Sequence, residues 1–483
     1  MGIARHLVTV VAVLGLGAML GWSSGCGGSG GDSQFTVFGQ GKGGGLFGDD
    51  GGSGSLIGDD SGPTGPCQGL ACQVHTCSGG GSTTISGTVY DPAAKNPLYD
   101  VVVYVPNAPL KDLAPGASCY SCSDLYSGSP VASALTGPDG KFTIQNAPDG
   151  DQIPLVIQVG KWRKGPILVQ HVAQCADTAV PDRSLTLPRN QGEGSIPSIG
   201  ISTGGADSLE CLLRRVGVDA SEYQPGGRIH IFQGDGGATT NPPAPDAVQS
   251  MWGPGASALQ PFDIVILSCE GHETTGMNQQ ALYDYAQTMG GRVFASHFHY
   301  SWFDSGPFGA ASVATWSPGG NDIGSIDGDV VTTLPSGAPF PKGVALKTWL
   351  GNVGALQNGL LPITQAKHNA DVSAVNVASQ SWIVDAKPPS STQYFSFDTP
   401  IGSPADQQCG RVVFSDLHVG SVPGGQPGDY DAAGGVGQGG IVPDACADRD
   451  LTPQEKALEF MLFDLSSCLT PNDQPPRPPT PVQ

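Results

Sequence analysis

The sequence predicts a multidomain chain, with an N-terminal β-sandwich followed by a doubly wound (flavodoxin-like) α/β domain that carries a β-rich insertion. Short alternating strands separated by Pro/Gly turns fill residues 82–190. A strand–helix–strand unit follows at 261–303, with strands expected at 262–267 and 292–296 and a helix at 277–289, and such units build parallel sheets. A β-like stretch at 304–403 interrupts this rhythm before another buried strand appears. We therefore assign 206–469 to the α/β domain and 304–403 to its insertion.

Composition excludes some partners. The chain has 483 residues with 72 Gly and 41 Pro, so much of its length is turns and linkers. Its net charge is -21, and 13% of its residues are charged. An acidic surface cannot neutralise a run of phosphates, so nucleic acid is excluded as a partner.

The N-terminus has the order of an export signal. Arg5 and His6 precede an apolar run at 7–22, and small residues then lead to Cys26. Small residues directly before a cysteine resemble the bacterial lipobox, although Ser23 replaces the usual Leu. The resemblance implies a lipoprotein signal peptide at 1–26 and lipidation of Cys26. It also implies a membrane anchor in the cell envelope, and we expect the outer membrane. Secretion without a lipid is the alternative.

The next segment, 27–80, reads as a Gly-rich disordered tether that ends in a cysteine cluster, Cys67, Cys72 and Cys77. If Cys26 is lipidated, eleven of the 12 cysteines remain in an oxidising compartment. An odd number leaves at least one thiol free or paired with another molecule. The cluster could bind zinc with His75, but outside the cell disulfides are favoured.

Four other cysteines are disulfide candidates. Cys119 and Cys122 lie in a Ser/Gly-rich loop, which favours a structural disulfide over a redox pair. Cys409 precedes the last buried strand and Cys468 follows the last helix, so these two form a plausible staple. Spacing alone does not determine the connectivity.

The predicted sandwich contains the segments ISGTVYDP, PLYDVVVYV and TGPDGKFTIQNAPDG. These segments resemble the carboxypeptidase-regulatory (transthyretin-like, Cna-B-like) family. The resemblance implies a stalk or accessory module that contacts carbohydrate and is rarely catalytic. A long cysteine-bearing insertion at 107–131 departs from the pattern.

A linker is predicted at 190–205, and the apolar spacing of residues 207–216 predicts an amphipathic helix. Asp207 is the expected cap, with Glu210 three positions on as in a capping box. Strands are expected at 228–232 and at 410–418, and a C-terminal helix at 452–465. Inside the insertion we expect a helix at 342–353 and strands at 372–377, 381–384 and 392–397. The Pro-rich tail, 470–483, is expected to be disordered.

Polar side chains follow the buried strands of the α/β domain. Cys269 and Glu270 follow one strand, His297 and His299 follow the next, and His418 follows the last. Parallel sheets bind ligands beyond the carboxyl ends of their strands. The sequence therefore predicts one site at this edge of the sheet.

The segments GGRVFASH and CGRVVFSDLH resemble the ThuA-like branch of the class I glutamine-amidotransferase-like fold. The resemblance implies a catalytic set of Cys269, Glu270 and His418, in a hydrolase acting on carbohydrate or amide substrates. Two features depart from the pattern: Leu267 replaces the first Gly of the nucleophile elbow, and Val419-Gly420 after His418 lacks the Glu. These departures weigh against catalytic activity at this site.

Two further interpretations stay open. His297 and His299, two apart on a strand, point the same way, and with His418 and Glu270 or Asp416 they would bind zinc. A hydrolase at this site would then be zinc-dependent instead of cysteine-dependent. No cofactor other than zinc is expected. Alternatively, Tyr300, Trp302 and Asp416 line an aromatic crevice that binds envelope glycan or another surface protein without catalysis. This non-catalytic binding role is our leading hypothesis.

Overall fold

Two four-stranded sheets form the N-terminal part of the described chain. The computed structural model describes residues 67–119, 122–418 and 440–481. The predicted signal peptide, Cys26 and most of the tether lie outside these residues. The strands are β1 (Thr84–Tyr90), β2 (Val102–Pro106), β3 (Pro130–Leu135), β4 (Lys141–Ile144), β5 (Gly150–Val159), β6 (Trp162–Val172), β7 (Asp177–Ala179) and β8 (Leu185–Thr186).

One sheet has the order β4-β1-β7, with β8 also paired to β1, and the other has the order β3-β2-β5-β6. Ile85 and Phe142 from the first sheet join Val103 and Ile157 from the second in one buried apolar cluster. Alternate residues of each strand therefore face a shared core, as the period-2 pattern predicts.

A nine-stranded mixed sheet follows. The strands of this part of the chain are β9 (Ile199–Thr203), β10 (Ile229–Gln233), β11 (Ile264–Leu267), β12 (Arg292–Ser296), β13 (Thr315–Trp316), β14 (Asp322–Val330), β15 (Leu361–Lys367), β16 (Ala370–Asp371), β17 (Ser379–Asp385), β18 (Thr392–Thr399) and β19 (Gly410–Ser415). Strands β13 and β16 form a separate two-stranded sheet, and the other nine form the mixed sheet. The order is β10-β9-β11-β12-β19-β18-β17-β14-β15. Pairing is parallel from β10 to β19 and antiparallel beyond it. The prediction of a sheet-rich chain with several sheets is confirmed.

Helices pack on both faces of the parallel strands. The helices are α1 (Cys122–Leu125), α2 (Leu209–Val216), α3 (Ala256–Leu259), α4 (Gln279–Met289), α5 (Gly306–Gly309), α6 (Pro341–Asn352) and α7 (Pro453–Ser466). Ile266 of β11 shares an apolar cluster with α2 and α7, whereas Val265 shares one with α4. Successive residues of a buried strand point to opposite faces, so its apolar run needs helices on both sides.

The prediction that residues 190–205 are only a linker is wrong. It contains β9, which pairs with β10 on one side and β11 on the other. Its Gly and Ser content hid the strand, because the apolar signal is reduced to Ile199 and Ile201. Gly200 is required here: a Cβ atom at this position would lie 2.8 Å from the ring of Phe262.

The predicted β-rich insertion extends the main sheet. Strands β14, β15, β17 and β18 continue it beyond β19, and the expected helix is present as α6. The expected strand at 372–377 is wrong, because backbone pairing ends at Asp371 with β16.

The disulfides correct the expected pairing. All four candidates are disulfide-bonded, but Cys119 pairs with Cys409 and Cys122 pairs with Cys468. Both bonds tie the loop inserted after β2 to the α/β part, a long-range proximity that sequence spacing does not contain. Within the described residues, the other disulfides are Cys67–Cys72, Cys77–Cys175 and Cys211–Cys446.

The sandwich and the α/β part share one continuous apolar core. Trp162 of β6 packs edge-on against Phe463 of α7 at 5.8 Å between ring centroids, and Tyr99 stacks on Phe460 at 5.6 Å. The tail, expected to be disordered, lies on the sandwich as far as the structure describes it, where Ser133 donates to the carbonyl of Pro479 at 2.7 Å. Within the described residues, no helix combines the length and apolar character needed to cross a membrane.

Candidate metal centre

Three side chains meet at the carboxyl edge of the parallel strands. Cys269 lies two residues after β11, His297 directly after β12 and His418 three residues after β19. Because β11, β12 and β19 are adjacent and parallel, their ends bring these side chains together. The predicted convergence of Cys269, His297 and His418 is therefore present in the structure.

The cluster is tight and buried. The Cys269 Sγ lies 3.4 Å from the His297 Nδ1, and the His418 Nε2 lies 2.9 Å from that same nitrogen. The three ligand atoms all lie within 4.8 Å of one another. The three residues are 0%, 1% and 7% exposed, in chain order.

These separations can be compared with those around a zinc ion. Zn–S bonds of about 2.3 Å and Zn–N bonds of about 2.05 Å, at the tetrahedral angle, place S and N ligands about 3.5 Å apart and two N ligands about 3.3 Å apart. The separations of 3.4 Å and 2.9 Å measured from the His297 Nδ1 come within about 0.4 Å of those values. Binding would require the two histidine nitrogens to separate by about 0.4 Å and the thiol and His418 to approach each other by up to about 1.3 Å.

The outer nitrogen of each histidine faces an oxygen. The His297 Nε2 lies 3.3 Å from the carbonyl oxygen of Gly320. The His418 Nδ1 lies 3.9 Å from the Asp207 Oδ1. The first distance is within hydrogen-bond range and the second is not. Ligating histidines in proteins commonly use their second nitrogen as an N–H donor to a carbonyl or carboxylate.

Burial keeps both histidines neutral. The pKa of His297 is lowered to about 2, mainly by burial and secondly by the nearby His418. Burial also lowers the pKa of His418, with Asp207 acting in the opposite direction. Burial raises the pKa of the Cys269 thiol, and the negative charge of Asp207 adds to this, although the N–H groups of Phe298 and Gly271 favour the thiolate.

His299, a predicted ligand, is not part of the cluster. Residues His297–Trp302 form a 3₁₀ turn instead of continuing the strand, and His297 has a φ of +40°. The two imidazoles therefore do not share a direction, as alternate strand residues would. The His299 Nδ1 bonds to the Ser296 carbonyl at 3.0 Å, and its Nε2 is buried without a hydrogen-bond partner.

The predicted carboxylates occupy other positions. Glu270 is 8% exposed and accepts from the Asp235 N–H at 3.2 Å, and burial raises its pKa. Asp416 is fully buried and accepts from the N–H groups of Asn369 and Ala370 at 2.7 and 3.0 Å. Burial raises the pKa of Asp416 to about 8. Neither carboxylate belongs to the cluster of Cys269 and the two histidines found among the described residues.

The predicted aromatic crevice is closed. Tyr300 and Trp302 are both 0% exposed. Tyr300 donates to Glu273 and accepts from the Gly319 N–H at 2.7 Å, while Trp302 donates to Thr274 at 3.3 Å. These rings are part of the core and present no face to a sugar.

Sequence reasoning missed Asp207 and Ser296 as site residues. Asp207 was expected to cap α2, but the N-cap is Ser208, without a side-chain cap bond. The Asp207 Oδ2 instead accepts from the Ser296 hydroxyl at 2.8 Å. Both residues lie at the carboxyl edge of the sheet, and that position was the available signal.

Comparisons with known proteins add little. No family model matches this chain, and no curated protein matches it. One matching structure is a chain of an interface mutant of the type II cohesin–X-dockerin complex from Acetivibrio cellulolyticus. It is 13% identical over 30% of this chain and 88% of that chain, with a TM-score of 0.17. A likeness at this TM-score carries no argument about fold or function.

Proposed function

We propose that this chain is an exported cell-envelope protein that binds a zinc ion through Cys269, His297 and His418, without catalysing a reaction. One observation carries the proposal: the His297 Nδ1 and the His418 Nε2 face each other at 2.9 Å beside a free thiol. Protons on the outer nitrogens, which face the Gly320 carbonyl at 3.3 Å and the Asp207 carboxylate at 3.9 Å, leave two lone pairs directed at each other.

Two opposed lone pairs repel unless a cation lies between them. With both outer nitrogens protonated, a further proton between the rings would make one imidazole positive, and burial lowers the pKa of both histidines. A neutral pair would need the His418 proton on its Nε2, which turns the Nδ1 lone pair toward the negative Asp207 carboxylate. A metal ion binds neutral imidazoles directly and ionises a coordinating thiol. A transition metal therefore resolves the geometry better than a proton does.

Ligand chemistry favours zinc. One thiolate and two imidazoles suit zinc, whereas calcium and magnesium prefer oxygen ligands. Three protein ligands leave a fourth position for water. We propose no turnover at that position, because none of the three residues is more than 7% exposed. A cysteine nucleophile is disfavoured because burial raises the pKa of the thiol.

We further propose the address and the domain class. Five disulfides among the described residues support an oxidising compartment and hence export. The proposed lipid anchor at Cys26 on the membrane depends on the lipobox-like residues before that cysteine. A doubly wound, ThuA-like domain is supported by the parallel order β10-β9-β11-β12-β19, which is 2-1-3-4-5 in chain order, with helices on both faces. A glycan or surface-protein partner would need a surface other than Tyr300 and Trp302.

Metal analysis of the purified, disulfide-intact chain tests the proposal. We expect about one zinc ion per chain, and loss of that zinc in Cys269→Ser and in His297→Gln. His299→Gln is the matched control: it changes a buried histidine two residues from His297 and should keep the zinc. Wild-type protein that stays metal-free after incubation with zinc would overturn the proposal, as would full zinc content in Cys269→Ser.

A further inference from the structure

We infer that Asp207 is a positioning residue for this metal site and holds two of its three ligands in place. The inference rests on the proposed zinc binding. Asp207 is 2% exposed and lies just before α2, beside the carboxyl ends of β11 and β12. A carboxylate behind a ligating histidine is a recurring second partner in protein metal sites.

The two oxygens of Asp207 serve different ligands. The Oδ1 lies 3.9 Å from the His418 Nδ1, on the side of the ring away from His297. The Oδ2 accepts from the Ser296 hydroxyl at 2.8 Å. That hydroxyl in turn accepts from the backbone N–H of Cys269 at 3.0 Å. One carboxylate therefore lies at ion-pair distance from an imidazole and is linked to the cysteine through a single hydroxyl.

Asp207 is not at the N-cap position of helix α2. The helix begins at Leu209 with Ser208 as its N-cap, and Ser208 makes no side-chain cap bond. Good N-cap residues normally bond to the N–H groups of the first turn. Asp207 also lies one position too early for that role. Its burial beside His418 and Ser296 is better explained by the metal site.

The proposed role is to select the ring tautomer. A carboxylate is an acceptor only, so it favours a proton on the His418 Nδ1 and leaves the Nε2 lone pair for the metal. Asparagine at 207 would keep its oxygen toward the Ser296 hydroxyl and turn its NH₂ toward the Nδ1. That NH₂ requires an unprotonated Nδ1, so the proton moves to the Nε2 and blocks coordination. Loss of such a partner lowers metal affinity by about 10- to 100-fold.

The experiment compares zinc affinity, by competition with a chromophoric chelator, in full-length wild type, Asp207→Asn and Asp207→Glu. Cobalt(II) reports thiolate coordination through its sulfur charge-transfer band. We expect Asp207→Asn to lose about 10- to 100-fold in affinity and to weaken the band. Asp207→Glu, which restores an acceptor, should recover part of both.

Asp322→Asn is the matched control. Asp322 is an exposed aspartate whose charge raises the pKa of His418, but its carboxylate pairs with Lys367 at 3.1 Å. It should keep wild-type affinity if position, not charge alone, is what Asp207 supplies. Equal losses in Asp207→Asn and Asp322→Asn would overturn the positioning role.

The outcomes separate the two proposals. Wild type without metal refutes zinc binding, and the role of Asp207 with it. Wild type that binds zinc while Asp207→Asn binds equally well refutes the positioning role alone. If Asp207→Asn does not fold, Ser296→Ala breaks the same chain of hydrogen bonds from its middle. A folded Ser296→Ala with unchanged affinity and cobalt spectrum would then count against the role.

Discussion

A buried pair of carboxyl groups joins the sandwich to the last helix, and replacing one of them should change how stability depends on pH. Asp91 follows β1, Glu459 lies on α7, and the two side chains are in hydrogen-bonding contact. They are 1% and 0% exposed. The Asp91 Oδ1 also accepts from the Lys95 N–H at 2.7 Å, and the Glu459 Oε2 accepts from Asn96 at 2.7 Å.

Burial raises the pKa of Asp91 from 3.8 to about 6 and raises the pKa of Glu459 as well. Two positive side chains near the pair are committed elsewhere: the Lys95 Nζ bonds Asp450 at 2.9 Å, and the Lys456 Nζ bonds the Val353 carbonyl at 2.7 Å. They offset only part of the cost of burial. The pair therefore holds protons that its unfolded chain would release.

Proton linkage gives the direction in which stability changes with pH. A carboxyl whose pKa is higher in the folded state supports folding fully below its unfolded pKa of 3.8, and that support is lost as the pH rises through about 6. The difference between a pKa of 3.8 and a pKa of about 6 corresponds to about 3 kcal/mol of folding free energy. Asp91→Asn cannot ionise, and its NH₂ can donate to Glu459. At about pH 7.5 the variant should therefore be more stable than wild type by about 3 kcal/mol, with little difference near pH 4.

Guanidinium unfolding with the disulfides intact, repeated from about pH 4 to about pH 8, measures this difference. Asp151→Asn, at an aspartate whose side chain is 79% exposed, is the control and should follow wild type throughout. Parallel stability curves for wild type and Asp91→Asn would refute the reasoning. So would a variant that is less stable than wild type at neutral pH.

Two further substitutions test the junctions of the fold. Gly160→Ala should destabilise by more than about 1 kcal/mol, because φ is +54° and a Cβ atom would lie 1.8 Å from the carbonyl oxygen of the last residue of α7. Gly226→Ala shares the positive φ without the clash and should cost less in the same unfolding assay. Arg411→Met should cost about 3–5 kcal/mol, because Arg411 is 0% exposed and its loss leaves the buried carboxylate of Asp464 and the partly exposed one of Asp398 short of a partner. An unchanged unfolding midpoint in this variant would contradict that buried-charge argument.

Much of the secondary structure was predictable because its signals are local. The C-terminal helix begins at Pro453 with the full capping box of Thr452 and Glu455, and α4 ends at Gly290 in a left-handed conformation. Strand β12 has the predicted bounds of Arg292–Ser296. Strand β9 was missed because its Gly and Ser residues dilute the apolar pattern, and it is recognised only by its neighbours in the sheet.

The candidate site was predicted in part. That polar residues collect at the carboxyl edge follows from the strand pattern and from parallel topology. Which of them meet depends on backbone turns that periodicity does not report. The positive φ of His297 ends the strand pattern, removes His299 from the set and leaves Cys269 as the third member. Asp207 was missed for a similar reason, because its position in the sequence suits a helix cap as well as it suits a site residue.

The sequence by itself determined the sheet-rich composition, most helix and strand positions, and the edge where Cys269, His297 and His418 would lie. These properties depend on side-chain periodicity and capping, which act over a few residues. The tertiary structure decided the strand order, the cross-pairing of Cys119 with Cys409 and of Cys122 with Cys468, and the ligand set. Those depend on contacts between residues far apart in the chain, which packing of the whole core selects and no local pattern encodes.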